Sequence, residues 1–395
     1  MKTYDAIVVG GGIIGGSIAL ALAREKQRVL VLDRAEPGKE ASWAAAGMLA
    51  PAPENYALAP EAETTRFIPF AKASFALYPR FIEEVESLSR LPTGYRRDGT
   101  LEFFFGPLGE WERTETLRVY RQFGVVVEPI STEQARARAP VANGDAVGAA
   151  WVPDECTVDP RLLTPAVLGA AKARGAVVRQ YCAVEKVLTP ARDGAVGVVA
   201  GGEEIQAANV VIAAGCFSSQ IPEMAQFAPT SPCRGQMIAL QFDLPDDSPV
   251  LRSQNGYIVP RRNGRVVVGS TLENAGYAKQ ITPEGMNKIL NAAAENIPAL
   301  ANAPILEKWA GLRPDTPDHL PIIGATGVKG LWMATGHYRN GILLAPGTGT
   351  AMAGLILHRK SPIDIGYFSP LRFAQASGAG SLSASADAHR DSSAR

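Results

Sequence analysis

The segment Asp5-Ala-Ile-Val-Val-Gly10-Gly-Gly12-Ile-Ile-Gly15-Gly16 constrains this chain more than any other. An apolar run, Ala6–Val9, meets a glycine turn, and a helix-compatible run follows from about Ile13 to Arg24. A second apolar run, Arg28–Leu32, then ends on Asp33. Continuous apolar runs without alternation are expected of strands buried on both faces. Strand, glycine turn, helix, strand and acid, in that order, form the context that a dinucleotide requires. Gly10 permits the tight turn, Gly12 lets the backbone approach a pyrophosphate, and Gly15 lets the helix pack on the strand. The helix then aims free N–H groups and its positive dipole end at the phosphates. Asp33 is placed to accept hydrogen bonds from a ribose diol. The motif does not separate FAD from NAD, and its bland alternative is a helix–strand turn without ligand.

Composition narrows the class. With 395 residues, the chain is long enough for two intertwined domains with substantial cores. Lys and Arg (39) balance Asp and Glu (39), so no global field recruits nucleic acid or an acidic membrane. Cys156, Cys182, Cys216 and Cys233 form no CxxC pair. They read as small buried residues of a reducing compartment, with no metal site. The first strand begins almost at Met1, so no secretion signal is expected and a cytoplasmic location is. The run 6–23 is apolar, but its central glycine turn argues against a membrane span. Residues 374–395, rich in Ala, Ser and Gly, read as a disordered tail.

Further along, Lys39–Pro53 is rich in small residues without a clear period, as suits a loop lying flat on a ligand. Helices are expected over Pro69–Ser89, Pro160–Arg174, Glu284–Asn296 and Gly341–His358. Asp159 is a good N-cap, with Pro160 at the first helical position. A strand is expected at Val177–Tyr181. A hairpin is expected from Ala195–Ala200 to Glu203–Ala207 across Gly201-Gly202. Asn209–Gly215 reads as a separate buried strand returning to the first sheet, with Gly215 near the dinucleotide. Gly235–Phe242, Gly256–Pro260 and Arg265–Ser270 read as strands of a second, antiparallel-rich domain, with Asn263-Gly264 a hairpin turn.

Five blocks occur in order: the glycine turn; Ala44-Ala-Ala46-Gly47-Met48-Leu49-Ala50-Pro51; Ala213-Ala-Gly215; Gly311-Leu-Arg313-Pro-Asp-Thr-Pro-Asp318; and Gly336-His-Tyr-Arg339-Asn-Gly341-Ile-Leu-Leu-Ala345-Pro346. Over roughly residues 3–360 the chain resembles the FAD-dependent amine and D-amino-acid oxidase superfamily, and within it the glycine oxidases of thiamine biosynthesis. The resemblance implies a mixed α/β and α+β fold: a Rossmann-like FAD-binding domain (1–90, 150–225 and 310–360) with an inserted antiparallel-sheet substrate domain (91–149 and 226–309). It implies noncovalent FAD, since no cysteine stands where some relatives attach the flavin. Gly10, Gly12, Ile14, Gly15, Asp33, Arg34 and Gly215 are assigned to the cofactor. Ser42, Ala46, Gly47 and Met48 line the flavin, and Val184 offers backbone contacts to the adenine. Arg339, Asn340, Gly341 and Ile342 bring the last helix's N-terminus to the flavin.

The resemblance also supplies the substrate end. Arg313 and Tyr257 match the positions that hold an amino-acid carboxylate, a task suited to a planar guanidinium fork. The alternative for Arg313 is an ion pair with Asp315 or Asp318, and for Tyr257 a core aromatic. Arg339 lines the pocket or ties its loop to the flavin domain. His337 reads as packing or flavin contact, because oxidases of this family take hydride from a neutral amine. Asn255 and Leu272 stand where relatives carry pocket residues and are expected to shift substrate size.

The implied reaction turns glycine, or another small amine or D-amino acid, into an imine, and dioxygen reoxidises the flavin to give hydrogen peroxide. The glycine imine then feeds thiazole assembly, with coupling to a thiazole synthase and a homo-oligomeric state expected. The runner-up is a D-amino-acid or sarcosine dehydrogenase with a quinone-type acceptor, disfavoured by the lack of an amphipathic basic segment. A nucleic-acid-modifying enzyme lacks its basic stripe and aromatic platform. A non-catalytic flavin-binding module stands as the remaining alternative.

Overall fold

The computed structural model describes residues 4–52, 61–188 and 196–373. The expected tail, 374–395, lies outside them. Two eight-stranded sheets organise the chain. The first runs in the order Ile322–Ala325, Leu331–Thr335, Glu203–Ile212, Tyr4–Val9, Val29–Leu32, Val177–Arg179, with Val196–Ala200 attached to Glu203–Ile212 and Val184–Leu188 to Val196–Ala200. Its centre is parallel, with Ile7 opposite Val210 on one side and Leu30 on the other.

Residue parity explains why these strands are apolar throughout. Ala6, Val8, Val29, Val31 and Val211 enter a core made with four helices: Ile13–Arg24, Glu61–Ser89, Pro160–Ala173 and Gly341–Ile356. Their neighbours Ile7, Val9, Leu30, Leu32, Val210 and Ile212 enter a separate core on the opposite face, shared with the Val196–Ala200 hairpin. A strand with cores on both sides has no polar position to alternate with.

Glu203–Ile212 is one continuous strand where the sequence reads two. Its first half pairs antiparallel with Val196–Ala200, and its second half pairs parallel with Tyr4–Val9. A strand serving two partners changes its pattern midway, and this imitates a break. The helix expected from Pro69 begins at Glu61, so Pro69 and Pro79 both lie inside it. Proline costs an internal helix one hydrogen bond. Here complete or near-complete burial of Ile68 and Phe70 offsets that cost.

The second sheet runs Ile305–Asp315, Ser231–Gln241, Arg265–Gly269, Gly256–Pro260, Val250–Ser253, Thr100–Phe104, Gly148–Val152, Glu128–Ile130. Only Val250–Ser253 with Thr100–Phe104 is parallel. Gly148–Val152 and Ile305–Asp315 are strands of this sheet, so divisions at 150 and 310 fall inside strands. Ile238, Leu240, Ile258, Val266 and Val268 pack under the helix Pro283–Asn296. The opposite face presents Met237, Ala239, Tyr257, Val259, Val267 and Trp309 to Ala44 and Ala46. The small-residue loop thus lies where the two sheets meet. Among the described residues no helix is long and apolar enough to cross a membrane.

Candidate functional site

A cavity of about 390 Å³ opens between the sheets. The end where the sequence motif expects a dinucleotide is built from backbone. Gly10 has φ +110°, and a Cβ there would lie 2.4 Å from the Ala213 carbonyl oxygen. A Cβ on Gly15 would lie 1.9 Å from the Gly10 oxygen. Both glycines are therefore demanded by the packing of strand, turn and helix. A Cβ on Gly12 would meet only Ser42 Oγ, at 3.2 Å, and would otherwise fill the cavity. Of the three turn glycines, this is the one whose bareness the packing of the protein does not require. Gly10, Gly12 and Ile14 line the cavity, and Gly15 stands behind them. It acts through helix packing.

Asp33 lines the cavity beside Arg34. Its Oδ2 accepts the Gly11 N–H at 2.7 Å and its Oδ1 the Ala35 N–H at 3.0 Å. Each carboxylate oxygen retains a second lone pair for a ligand hydroxyl. Burial pushes the Asp33 carboxyl above its usual value despite these two donors. A diol donating to the carboxylate would reverse that shift. Ser42 Oγ accepts the Ile13 N–H at 3.0 Å, so it caps the first helix as well as lining the cavity. Val184 and Gly215 also lie on the wall.

The loop carrying Ala46, Gly47 and Met48, all on the cavity wall, is fixed from behind by the second sheet. Trp309 donates its Nε1–H to Ala44 O at 3.1 Å, and Arg261 donates to Ala46 O. Arg161 lies 3.6 Å from the Trp43 ring centroid and holds Glu307 with both terminal nitrogens, at 2.8 and 3.0 Å. Burial draws Arg261 down to about 10, with Asp159 partly restoring it, so it stays charged at neutral pH.

At the other end of the cavity stand Arg313, Tyr257 and Arg339. Arg313 donates to Ser270 Oγ at 2.6 Å and to Thr271 O at 3.1 Å. Asp315 binds His319 and Asp318 binds Arg372, so the two carboxylates weighed as partners of Arg313 are occupied elsewhere. Among the described residues no carboxylate pairs with Arg313. Neutral acceptors orient its guanidinium without cancelling its charge. Gly235 makes room for it: a Cβ there would fall 2.3 Å from Nη1. Tyr257 Oη lies 4.0 Å from Met237 Sδ.

Asn340, Gly341 and Ile342 line the cavity at the start of the last helix. The first N–H groups of a helix lack internal partners, and here they open on the wall. His337 is buried, bonded through Nε2 to Thr348 Oγ1 at 3.0 Å, and burial holds it down to about 3. It is neutral across the physiological range.

Two expectations about pocket size are corrected. Leu272 is exposed and does not line the cavity. Asn255 donates to both oxygens of Glu295, away from the cavity. The loop after Arg265–Gly269 turns Leu272 outward, and the tight turn before Gly256 carries Asn255 to the surface. The residues missed instead are Met237 and Ser270. Met237 was within reach of sequence reasoning: it shares a strand face with Gly235, two residues away.

Comparison with known proteins gives a consistent pattern. A family model described as FAD dependent oxidoreductase matches residues 5–355. The chain is 34% identical over 381 residues to the bifunctional protein ThiO/ThiG of Trichormus variabilis, covering 94% of this chain and 55% of that protein. It therefore spans about half the length of that relative. It is 33% identical over 360 residues to the glycine oxidase of Bacillus licheniformis, covering 90% of this chain and 94% of the relative. The crystal structure of glycine oxidase from Geobacillus kaustophilus superposes with a TM-score of 0.87 at 28% identity, covering 94% of this chain and 99% of that one.

Proposed function

The chain belongs to the FAD-dependent oxidoreductase family, and on that premise we propose that it oxidises glycine, or another small amine or D-amino acid, to the imine, with dioxygen as terminal acceptor. The observation that carries this reading is Arg313. A guanidinium on a cavity wall, oriented by a hydroxyl and a carbonyl and matched by no carboxylate among the described residues, suits the carboxylate of a small zwitterion.

FAD, when bound, supplies the acceptor for two electrons. The chain's own residues do the rest. Arg313 grips the carboxylate, Tyr257 adds a neutral donor, and Arg339 bounds the pocket near the amine. As C=N forms, the substrate loses one Cα–H with its electron pair and one N–H proton. His337 does not receive that proton, because burial keeps its ring far too weak a base. The amine binds neutral, loss of the Cα–H with its electron pair leaves the iminium, and the N–H proton then passes to solvent. The N-terminus of Gly341–Ile356 stabilises negative charge gathering at that wall.

The glycine oxidases among the relatives support the choice of substrate class. The bifunctional relative supports a place in thiamine biosynthesis, with the imine passed to a thiazole-forming partner. Free Cys156, Cys182, Cys216 and Cys233 fit a reducing, cytoplasmic setting. A homo-oligomeric assembly completes this reading, and light scattering of the purified protein checks it.

The test of the reaction is anaerobic mixing of the FAD-loaded protein with a panel of small amines, followed by air. Glycine or a small D-amino acid should bleach the yellow chromophore, and air should restore it with release of hydrogen peroxide. Bleaching by no amine, or reoxidation by a quinone dye alone, would overturn the reading.

A further inference from the structure

The loop from Ser270 to Ile281 joins the second sheet's strand Arg265–Gly269 to the helix Pro283–Asn296. It starts on the substrate arginine, where Ser270 Oγ and Thr271 O accept from Arg313. A few residues later it reaches the opposite, nucleotide-side wall. Tyr277 donates its Oη–H to Cys216 O at 2.9 Å, and its ring lies 5.2 Å from that of Phe217. The Arg34 guanidinium sits 3.5 Å from the centroid of the same Phe217 ring. Arg34 pairs with Glu40 at 2.9 Å, and Glu40 pairs in turn with Lys279.

These contacts close a ring. Arg34, Glu40, Cys216 and Phe217 line the cavity, whereas Tyr277 and Lys279 lie outside its lining and hold Cys216, Phe217 and Glu40 directly, and Arg34 through Phe217 and Glu40. Both latch residues are exposed, at 39% for the Tyr277 residue and 41% for the Lys279 side chain. Contacts of that kind open without disturbing a core. Nothing in a glycine-turn fold requires the second sheet to hold this rim. We propose that Tyr277 and Lys279 are positioning residues of the FAD site, latching the rim formed by Arg34, Glu40 and Phe217 so that the cofactor leaves only when the latch opens. The proposal rests on FAD as the cofactor and is independent of which amine is oxidised.

The experiment follows flavin fluorescence as FAD-loaded protein is diluted, for wild type, Tyr277→Ala, Lys279→Met and the exposed loop control Gln280→Ala. Loss of a hydrogen bond and a ring contact should speed release in Tyr277→Ala about tenfold. Loss of an exposed ion pair should speed it about twofold in Lys279→Met. Raising the salt concentration should accelerate release from wild type more than from Lys279→Met, in which only the Arg34–Glu40 pair of the rim remains to be screened. Gln280→Ala should release at the wild-type rate, and apoprotein melting should be the same in all four. Wild-type release from Tyr277→Ala, or equal acceleration by Gln280→Ala, overturns the latch. A wild-type protein that retains no FAD overturns instead the cofactor on which the latch rests.

Discussion

The two ends of the cavity are built by different physics. The nucleotide end is local and made largely of backbone. Gly10, Gly12, Asp33 and the first helix come from one stretch of about thirty residues, and their geometry follows from glycine sterics and helix termini. The substrate end is assembled from side chains far apart in sequence. Gly235, Tyr257, Ser270 and Arg313 meet because the second sheet pairs Ser231–Gln241 with both Arg265–Gly269 and Ile305–Asp315, and Gly256–Pro260 with Arg265–Gly269, while Arg339 comes from the loop before the last helix. A motif can encode the first end. The second depends on sheet register, where a one-residue slip would turn Arg313 to the other face.

Substitutions can break that contrast, and the largest effect belongs to the nucleotide end. Gly10→Ala should destabilise the protein by about 3 kcal/mol or more, because its φ of +110° and the backbone oxygen 2.4 Å from a Cβ leave no room to relax. Chemical denaturation checks this. Gly12→Ala should instead fold with nearly wild-type stability and fail to retain FAD. If both variants unfold alike, the distinction between a packing glycine and a cradle glycine is lost.

Next comes Asp33. Its carboxyl is raised, chiefly by burial, and hydroxyl donors from a bound FAD would favour its ionised form. The sign follows from linkage. A raised folded value means the apoprotein binds the proton more tightly than the unfolded chain does. This group's contribution to apoprotein stability is therefore greatest below the unfolded value and is lost as pH rises through the folded one. FAD binding opposes protonation, so FAD affinity should fall as pH drops through the raised apo value. Asp33→Asn should weaken FAD by about 1–3 kcal/mol and flatten that dependence. Equilibrium dialysis across the acidic range reads both.

Smaller effects probe the junction. Trp309→Phe removes the donor to Ala44 O while keeping most of the ring, and should cost about 1 kcal/mol of stability with a shifted flavin spectrum. The smallest effect concerns His337. Because burial holds it at about 3, the pH–rate profile between 5 and 9 should lack a histidine step. His337→Gln should leave the profile's shape unchanged, and a lost inflection near 6 to 7 would contradict the buried, neutral ring.

Legibility in the sequence follows the same division. Buried strands such as Ala6–Val9 and the turns at Gly201-Gly202 and Asn263-Gly264 carry their conformation locally, and all four turn residues adopt positive φ. The family blocks contain Arg313 and Arg339, and the resemblance they carry adds Tyr257. What sequence spacing did not reveal is long-range placement. The parallel pairing of Thr100–Phe104 with Val250–Ser253 joins segments about 150 residues apart. Leu272 and Asn255 stand where the family resemblance expects pocket residues, but a loop and a tight turn send their side chains elsewhere. Ser42 acquires a capping role because the loop returns to Ile13, 29 residues distant.

The claim that Arg313 receives the substrate carboxylate is tested most directly by anaerobic bleaching rates against glycine concentration, in wild type and Arg313→Lys. Lysine keeps the charge and loses the fork, so half-saturation should rise by about 2–5 kcal/mol equivalent while FAD content stays the same. An unchanged half-saturation in a fully flavinated Arg313→Lys protein would contradict it.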